Sequence, residues 1–408
     1  MATTPQQPPM LAGVTVLDFT QYLAGPTATR LMAELGAEVI KVEQAQQGDP
    51  SRTIPFLKDG RSVYFIQQNR GKKSICLDFK KPEAIELIRA LIPHVDVVIE
   101  NYGPGVLQRR GLDYEALKQL NPGIIMCSIS AFGRQGPLSH LTGYDYIAQA
   151  FSGIMHMTGD PDGPPRFVGV AIADGVAGVH AFAALGYALL HRDRTGQGQY
   201  IDLSMVDSLY HMQSVEVQLY AASKGAYTPL RFGIHHRLSC PQGVFKGPEG
   251  YMVILALNRQ WPNVARALGR PELIDDPRFS SAGRRAKHKE ELIPMIEAWL
   301  RSFPTDEAAL KALADHRVPA GPVMSIEETV SHPYFAARKM VRQVPDRILG
   351  EVTIPGFPFK FSAFPDSLDL EAPFLGEHND EVFGQYLGRS PDSLDALYKQ
   401  GALYRGDS

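Results

Sequence analysis

Residues 14–43, VTVLDFTQYLAGPTATRLMAELGAEVIKVE, predict a strand, a helix and a second strand in succession. Residues 14–19 are largely apolar, as in a buried strand, and residues 27–35 carry apolar side chains at helical spacing. Gly36 suits the position just after a helix, and residues 37–43 return to a strand pattern. A strand-helix-strand unit of this kind joins two parallel strands of one sheet.

The same alternation continues along the first half of the chain. The pattern predicts strands at residues 74–79, 96–101, 124–130 and 200–203, and helices at residues 82–92 and 114–120. Strands rich in Val and Ile that alternate with helices indicate a Rossmann-like α/β domain, with a parallel sheet covered on both faces.

Ligands of parallel sheets bind at the carboxyl ends of the strands. This rule directs attention to the loops that follow five positions, Phe19, Val42, Phe79, Asn101 and Ser130. None of these loops carries GxGxxG or GxxxxGK[ST], so the usual phosphate loops for dinucleotides and nucleoside triphosphates are missing.

The composition changes after about residue 225, which predicts a second domain. We expect a disordered tail at residues 1–10 and a large α/β domain of residues 11–205 plus 340–408. Residues 226–325 predict a smaller α+β domain, which residues 206–225 and 326–339 link to the first. A long helix from Met205 to about Ala222 is expected within the first linker, and residues 352–359 predict edge β structure.

The bulk composition excludes several classes of protein. The chain has 408 residues and a net charge of −3, so we expect no nucleic-acid partner. We find no apolar run near the roughly 20 residues that span a bilayer, and residues 1–9 lack the features of a signal peptide. Three cysteines without CxxC spacing favour a reducing, cytoplasmic location. No cluster with metal-ligand spacing is evident, so no metal is expected.

One carboxylate stands out in residues 165–180, PRFVGVAIADGVAGVH. Asp174 follows an apolar run and precedes a long pattern of small and apolar residues, from Gly175 to about His191. The pattern predicts a buried helix with Asp174 as its N-cap, where backbone N–H groups and the helix dipole favour the ionised carboxyl group. An ionised carboxylate in apolar surroundings is a candidate nucleophile. The alternative is that Asp174 only caps the helix.

Short motifs extend in order along nearly the whole chain. They are LDFT at 17–20 with AGP at 24–26, LGAEVIKVE at 35–43, GDPSR at 48–52, NRGKKSI at 69–75, ENYGPG at 100–105, GYD at 143–145 and LGEH at 375–378. Together they resemble the family III CoA-transferases, the group that includes formyl-CoA:oxalate and carnitine CoA-transferases. The resemblance implies an acyl-CoA and a small carboxylic acid as substrates, and an interlocked homodimer.

The resemblance also implies a mechanism. Asp174 matches the family's nucleophile, which attacks the thioester of an acyl-CoA to give an aspartyl anhydride and then an aspartyl-CoA thioester. Residues that match the supporting positions are Leu23, Ala24, Tyr144 and Asp145.

Coenzyme A should then lie over the large domain. Residues that match its binding positions are Leu77, Asp78, Phe79, Lys80, Asn101, Tyr102, Gly103 and Arg109, with Lys72 or Lys73 as further partners for phosphate. Gln44 stands where formate-type enzymes carry an arginine. That phosphate contact is therefore either missing or supplied by Arg52 or Arg70.

Two other functions stay open at this point. The related α-methylacyl-CoA racemases have a histidine at the position of Tyr144, and a tyrosine, with a pKa of about 10, is a poor base at neutral pH. His180 is nearly two turns beyond Asp174 and faces away from it, whereas His235 and His236 belong to a loop at 227–243. A protein that binds CoA esters without turnover is the third possibility. The motifs do not name the acyl donor or the acceptor acid.

Overall fold

The computed structural model describes residues 8–54, 57–364, 368 and 370–406. Within them the strands are β1 (Thr15–Asp18), β2 (Glu38–Gln44), β3 (Leu57–Lys58), β4 (Arg61–Ser62), β5 (Lys72–Leu77), β6 (Val97–Glu100), β7 (Ile125–Ser130), β8 (Tyr200–Ser204), β9 (Gln242–Lys246), β10 (Tyr251–Leu255), β11 (Ala320–Pro322), β12 (Val341–Asp346) and β13 (Gly350–Pro355).

The helices of the first half are α1 (Ala24–Glu34), α2 (Val63–Asn69), α3 (Pro82–Leu91), α4 (Tyr114–Leu120), α5 (Asp145–Phe151), α6 (Ile154–Met157), α7 (Ile172–Thr195) and α8 (Met205–His211). Those that follow are α9 (Glu216–Ala222), α10 (Trp261–Ala267), α11 (Ala282–Lys287), α12 (Lys289–Leu300), α13 (Asp306–Asp315), α14 (Ile326–Ser331), α15 (Pro333–Ala337), α16 (Asn379–Leu387) and α17 (Pro391–Lys399). Short 3₁₀ helices cover Pro50–Arg52, Ile92–His94, Gln108–Arg110, Asn258–Gln260 and Pro271–Ile274.

The predicted parallel sheet is confirmed. Six strands lie in the order β5-β2-β1-β6-β7-β8, and each neighbouring pair is parallel. Leu17 of β1 is in register with Ile40 of β2 on one side and with Val98 of β6 on the other. These three side chains are buried, because helices cover the sheet.

Two helix layers complete this part of the fold. Helices α3, α4, α16 and α17 contribute Leu87, Leu117, Phe383 and Leu394 to the core that includes Leu17. Helices α1 and α7 pack against each other, and α7 also packs against β7. Side chains on a strand alternate between the two faces of a sheet, so the strands are buried on both sides.

Contacts divide the described residues into two units. The larger consists of the described parts of Met1–Gly153, Val168–Ser214 and Pro333–Ser408, and the smaller consists of Ile154–Phe167 and Val215–His332. These bounds differ from the predicted domains and linkers, chiefly because Ile154–Phe167 belongs to the smaller unit. Residues 159–165 of that segment, GDPDGPP, predict turns but do not indicate the unit to which the segment belongs.

The predicted single helix from Met205 to about Ala222 is wrong. The structure has α8 and α9 instead, with a break at residues 212–215. Gln213 donates a hydrogen bond from Nε2 to the Ser152 carbonyl oxygen at 2.6 Å, and Ser214 and Val215 have modest helix propensity. A tertiary contact and weak local preference therefore end the helix early.

The smaller unit contains an antiparallel sheet in the order β11-β10-β9 and a core that includes Phe245, Trp261 and Phe279. Strand β9 begins inside the predicted loop at 227–243, and His235 forms a β-bridge with Gly243. In the larger unit, β12 and β13 form a hairpin, and β13 covers residues 352–355 of the edge β structure predicted at 352–359.

Residues 1–7 of the predicted disordered tail, which covers residues 1–10, lie outside the described residues. Pro9, in the described remainder, is anchored. Pro9 lies against Gly36, where an added methyl group would meet the Pro9 side chain. The Pro9 carbonyl oxygen also accepts a hydrogen bond from Ala12 N at 3.0 Å.

Candidate active site

Asp174 is the third residue of α7 and not its N-cap as predicted. Ala171 occupies the cap position and has no side-chain cap bond. The missing cap comes from Asp145, whose Oδ1 accepts hydrogen bonds from Ala173 N at 2.6 Å and Asp174 N at 3.2 Å. A carboxylate at this end of a helix is favoured by the helix dipole. Asp145 therefore fixes the turn that carries Asp174.

Gln149 secures the same turn from α5. Its Nε2 donates to Asp145 Oδ2 at 2.6 Å, and its Oε1 accepts from Val168 N at 2.9 Å. Asp145 and Gln149 are both buried. The sequence analysis missed Gln149, although its spacing of four residues from Asp145 places both on one helical face.

The structure does not favour the ionised form of Asp174 as strongly as predicted. Burial, followed by the nearby charge of Asp145, raises the pKa of Asp174 to about 7. Loss of hydration and a like charge therefore outweigh the helix dipole. Near neutral pH the carboxyl group is present in both forms. A carboxylate with a raised pKa is a characteristic feature of a catalytic site.

Asp174 lines a cavity of about 190 Å³ at the carboxyl edge of the parallel sheet. The described lining comprises Gln21, Tyr22, Ala24, Asn101, Tyr102, Gly103, Pro104, Ile129, Ser130, Ala131, Arg134, Leu141, Thr142, Gly143, Tyr144, Asp174 and Met205. The prediction that ligand-binding loops follow Phe19, Asn101 and Ser130 is consistent with this lining. The loops after Val42 and Phe79 supply none of these lining residues.

A close approach of two helices brings the start of α1 to this cavity. A methyl group at Gly178 would lie 2.5 Å from Ala24 O and 2.7 Å from Thr27 Cβ, so only glycine permits the observed packing. Ala24 is the first residue of α1 and lines the cavity with Asp174. Its N-cap, the predicted site residue Leu23, makes no side-chain cap bond. Two helix N-termini therefore contribute positive partial charge beside this cavity.

Asn101, predicted to bind CoA, uses its side chain to hold a neighbouring loop. Its Oδ1 accepts from Gln21 N and its Nδ2 donates to Gln21 O, both at 2.8 Å. The amide group is thus engaged on both sides, and its role in the cavity is to position Gln21.

Tyr102 and Arg134 line the cavity, and each has a buried polar atom without a hydrogen-bond partner among the described residues. The Tyr102 hydroxyl is buried and has no hydrogen-bond partner among the described residues, and burial raises its pKa. Arg134 Nη2 donates to Glu100 Oε1 at 2.8 Å and to Tyr102 O at 2.7 Å, whereas its buried Nη1 has no partner in the described part of the chain. Arg134 was missed, although it follows a strand end that the sequence analysis had selected.

Tyr144 is the N-cap residue of α5 and is 72% exposed. Its ring meets Tyr22 edge-on, with ring centroids 6.3 Å apart. The described cavity lining contains no histidine. His180 instead lies against His211, with ring centroids 5.9 Å apart, as expected for a residue that faces away from Asp174. The described site thus lacks the usual base for moving an α-proton.

Lys72 and Lys73, the predicted phosphate partners, both form ion pairs within the fold. Lys72 is fully buried, and its Nζ lies 2.9 Å from Asp18 Oδ2. Lys73 pairs with Glu38 at 2.6 Å and with Glu381 at 2.9 Å. Both cations already have carboxylate partners within the fold, which a pattern of adjacent lysines does not show.

The two arginines considered as substitutes for the residue missing at Gln44 are also engaged. Arg52 binds both carboxylate oxygens of Glu43, at 2.7 and 2.6 Å, and Arg70 is buried against Glu34. Both arginines thus have carboxylate partners, and a phosphate contact from either of them stays a prediction.

Among the remaining predicted CoA residues, Leu77 to Lys80 lie at or just after the end of β5, whereas Gly103 and Arg109 follow β6. Leu77 and Phe79 belong to the hydrophobic core, and Asp78 Oδ1 accepts from Lys80 N at 3.0 Å. Lys80 and Arg109 are exposed, and Arg109 Nη1 contacts the Pro104 carbonyl oxygen at 3.3 Å. Both cations were predicted to bind CoA, Arg109 at the phosphates, and the described contacts leave them accessible.

Two general features complete the description. Among the described residues, no group of three or more His, Cys, Asp or Glu side chains is arranged to hold a metal ion. Helix α7 is long and apolar enough to cross a membrane by composition alone, but core helices of soluble proteins meet the same criteria. Its small residues, such as Ala177 and Gly178, are buried.

Comparison with known families identifies the class of protein. The model of CoA-transferase family III matches residues 11–379. The chain belongs to this family and is therefore a CoA-transferase.

Individual relatives agree over nearly full length. The chain is 37% identical to succinyl-CoA–D-citramalate CoA-transferase of Chloroflexus aurantiacus, over 96% of this chain and 98% of that protein. It is 36% identical to succinyl-CoA:glutarate CoA-transferase of Mus musculus, over 96% and 90%. A crystal structure of a CAIB/BAIF family protein from Brucella suis superimposes with a TM-score of 0.82 at 35% identity, over 93% and 100%.

Proposed function

We propose that this CoA-transferase works through covalent catalysis by Asp174. The observation that carries the proposal is the placement of this carboxyl group, with a pKa raised to about 7, in a cavity at the starts of α7 and α1. Its nucleophilic form is available at neutral pH, and the helix ends favour negative charge that develops beside it.

The reaction divides into two symmetrical halves. An Asp174 carboxylate oxygen attacks the thioester carbon of the acyl-CoA donor, the C–S bond breaks, and CoA leaves as a thiolate. The thiolate then attacks the Asp174 side-chain carbonyl of the mixed anhydride. This step releases the donor acid as a carboxylate and leaves CoA bound to Asp174 as a thioester.

In the second half, the acceptor carboxylate attacks that thioester and expels the thiolate again. The thiolate attacks the acceptor carbonyl of the new anhydride, which yields the product acyl-CoA and restores the Asp174 carboxylate. One thioester replaces another, so the exchange is close to isoenergetic and consumes no ATP. The backbone N–H groups at the start of α1 are suited to stabilise each tetrahedral oxyanion.

We propose short-chain dicarboxylic acids as the substrate class, with succinyl-CoA as the donor. Support comes from the names of two relatives, which specify succinyl-CoA with citramalate or with glutarate. A panel of mono- and dicarboxylates offered with succinyl-CoA tests this point. Transfer to monocarboxylates alone would contradict it.

We further propose a cytoplasmic homodimer, interlocked as the family resemblance implies. Support comes from exposed apolar side chains on α7 and α8, among them Val179, Tyr187 and Tyr210. Large apolar side chains that share a surface are typical of association sites. Light scattering should find twice the chain mass, and a stable monomer at micromolar concentration would contradict the dimer.

The catalytic proposal is tested by Asp174→Asn, with Asp193→Asn on the same helix as the matched control. Asp193 is exposed, so its replacement should leave transfer unchanged, whereas Asp174→Asn should abolish it. Equal activity in the two variants would overturn the proposal. Deuterium exchange at the α-carbon without any acceptor acid would instead favour the racemase alternative.

A further inference from the structure

Side chains of other residues hold the backbone of residues 20–22, of which Gln21 and Tyr22 line the cavity. Thr20 N donates to Asp18 Oδ1 at 2.8 Å, and Lys41 Nζ donates to Thr20 O at 2.7 Å. Tyr22 N donates to Asp49 Oδ1 at 3.2 Å. Asn101 adds its two hydrogen bonds to Gln21. Each of the three residues 20–22 therefore has at least one backbone N–H or C=O group bound by a side chain outside these three residues.

The charged members of this arrangement form one network. Lys41 Nζ lies 2.8 Å from Asp49 Oδ2, and Lys72 Nζ lies 2.9 Å from Asp18 Oδ2. All four side chains are buried. Burial alone would raise the pKa of Asp18, yet the charges of Lys72 and Lys41 lower it to about 2. The network is therefore charged, and not a set of neutralised groups.

Such a network is a costly way to stabilise a fold. Buried ion pairs lose hydration, and well-packed apolar residues of similar volume often give equal or greater stability. Tyr22 adds a second cost, because it has a φ of 63°, a conformation that non-glycine residues rarely adopt. Strain of this kind persists where the surroundings enforce it, and it is concentrated at functional sites.

We infer that Lys41 and Asp49 are positioning residues for the transfer reaction, because they hold the loop that presents Tyr22 and the start of α1 to Asp174. The inference rests on the proposed role of Asp174. Both residues act through the backbone and touch no reacting atom. Loss of their charge should relax Tyr22 and displace Ala24, which lines the cavity.

The chain offers a matched control for this idea. Asp346 resembles Asp49, since both are buried carboxylates that pair with a buried cation and accept from two backbone N–H groups. Asp346 pairs with Arg61 and caps the turn at Ile348 and Leu349, and neither it nor these partners lines the described cavity. Changes at Asp49 and Asp346 should therefore cost similar stability but differ in their effect on catalysis.

The experiment compares Asp49→Asn with Asp346→Asn by steady-state kinetics, per folded enzyme. Asp49→Asn should lower kcat by at least about tenfold, because misplacement by 1 Å can cost about a hundredfold. Its KM for acyl-CoA should change by less than about threefold, and Asp346→Asn should keep kcat within about twofold. Equal kcat values for the two variants would overturn the inference.

Two further measurements keep the test decisive. If Asp49→Asn does not fold, Asn101→Asp disturbs the same loop from the other side by placing an acceptor against Gln21 O. It should lower kcat in the same way, and an unchanged kcat would overturn the inference. Covalent labelling of Asp174 in the unaltered enzyme is measured in parallel. Absence of that label refutes the nucleophile itself, whereas a label together with an unchanged kcat in the Asp49 variant refutes only the positioning role.

Discussion

Replacement of Gly178 by alanine tests whether the spacing of α1 and α7 sets the rate of transfer. The new methyl group would begin 2.5 Å from Ala24 O and 2.7 Å from Thr27 Cβ. Ordinary contact begins at 3.4 Å. The helices must therefore separate by about 0.9 Å before the methyl group fits. Overpacking of this kind costs about 1–3 kcal/mol of stability.

The same displacement moves the start of α1 away from Asp174. We expect Gly178→Ala to lower kcat by about 10- to 100-fold, since an error of 1 Å in catalytic geometry can have that effect. The assay is succinyl-CoA-dependent transfer, normalised to the folded fraction measured by circular dichroism. Gly384→Ala in α16 is the control, because a methyl group there meets only Arg389 O at 3.8 Å.

The control should stabilise the protein by about 0.5–1 kcal/mol, as expected for alanine in place of glycine within a helix, and leave kcat unchanged. A Gly178→Ala enzyme that loses stability yet retains full kcat would refute the reasoning, because it would separate the helix spacing from the chemistry.

Further predictions concern charge at the site. The acid limb of the kcat/KM profile should titrate at about 7, because transfer requires the Asp174 carboxylate. Asp145→Asn should lower that pKa, because it removes the like charge that helps to raise it. An acid limb near the ordinary carboxyl pKa in the unaltered enzyme would contradict this prediction. Since the folded-state pKa of Asp174 is raised, its contribution to stability is complete at low pH and is lost as the pH rises towards 7. Asp174→Asn should therefore raise the free energy of unfolding at pH 8 by about 1–3 kcal/mol in denaturant titrations, and a destabilised variant would count against the burial of charge. Arg109→Gln should raise the KM for acyl-CoA about tenfold, because it removes an accessible cation. Lys73→Gln should leave this KM unchanged, because it loses only ion pairs within the fold. Equal KM values for the two variants would show that Arg109 does not bind the phosphates.

Much of the larger unit could be predicted because its signals are local. Residues 14–43 contain their own strand and helix periodicity, and helix α4 has the predicted bounds. The loops that border the cavity followed from the rule for carboxyl ends of parallel strands. The position of Asp174 within its helix did not, because its cap comes from Asp145, 29 residues earlier.

Charge pairing was the main obstacle to predicting the site. Lys72 and Lys73 are adjacent in sequence, yet one is enclosed with Asp18 and the other pairs with Glu38 and Glu381 at the surface. Strand alternation places them on opposite faces of the sheet, but their partners lie far away in the chain. The positive φ of Tyr22 likewise goes with hydrogen bonds to this loop from Lys41 in β2 and from Asp49, which follows β2. No local motif therefore predicts this φ.

The most direct measurement of the central claim is the chemical identity of the covalent intermediate. The enzyme is incubated with succinyl-CoA and no acceptor, treated with hydroxylamine, digested and analysed by mass spectrometry. The account predicts one hydroxamate, on the peptide that contains Asp174, and none in Asp174→Asn. A hydroxamate on a different carboxylate, or steady transfer without any modified peptide, would contradict it.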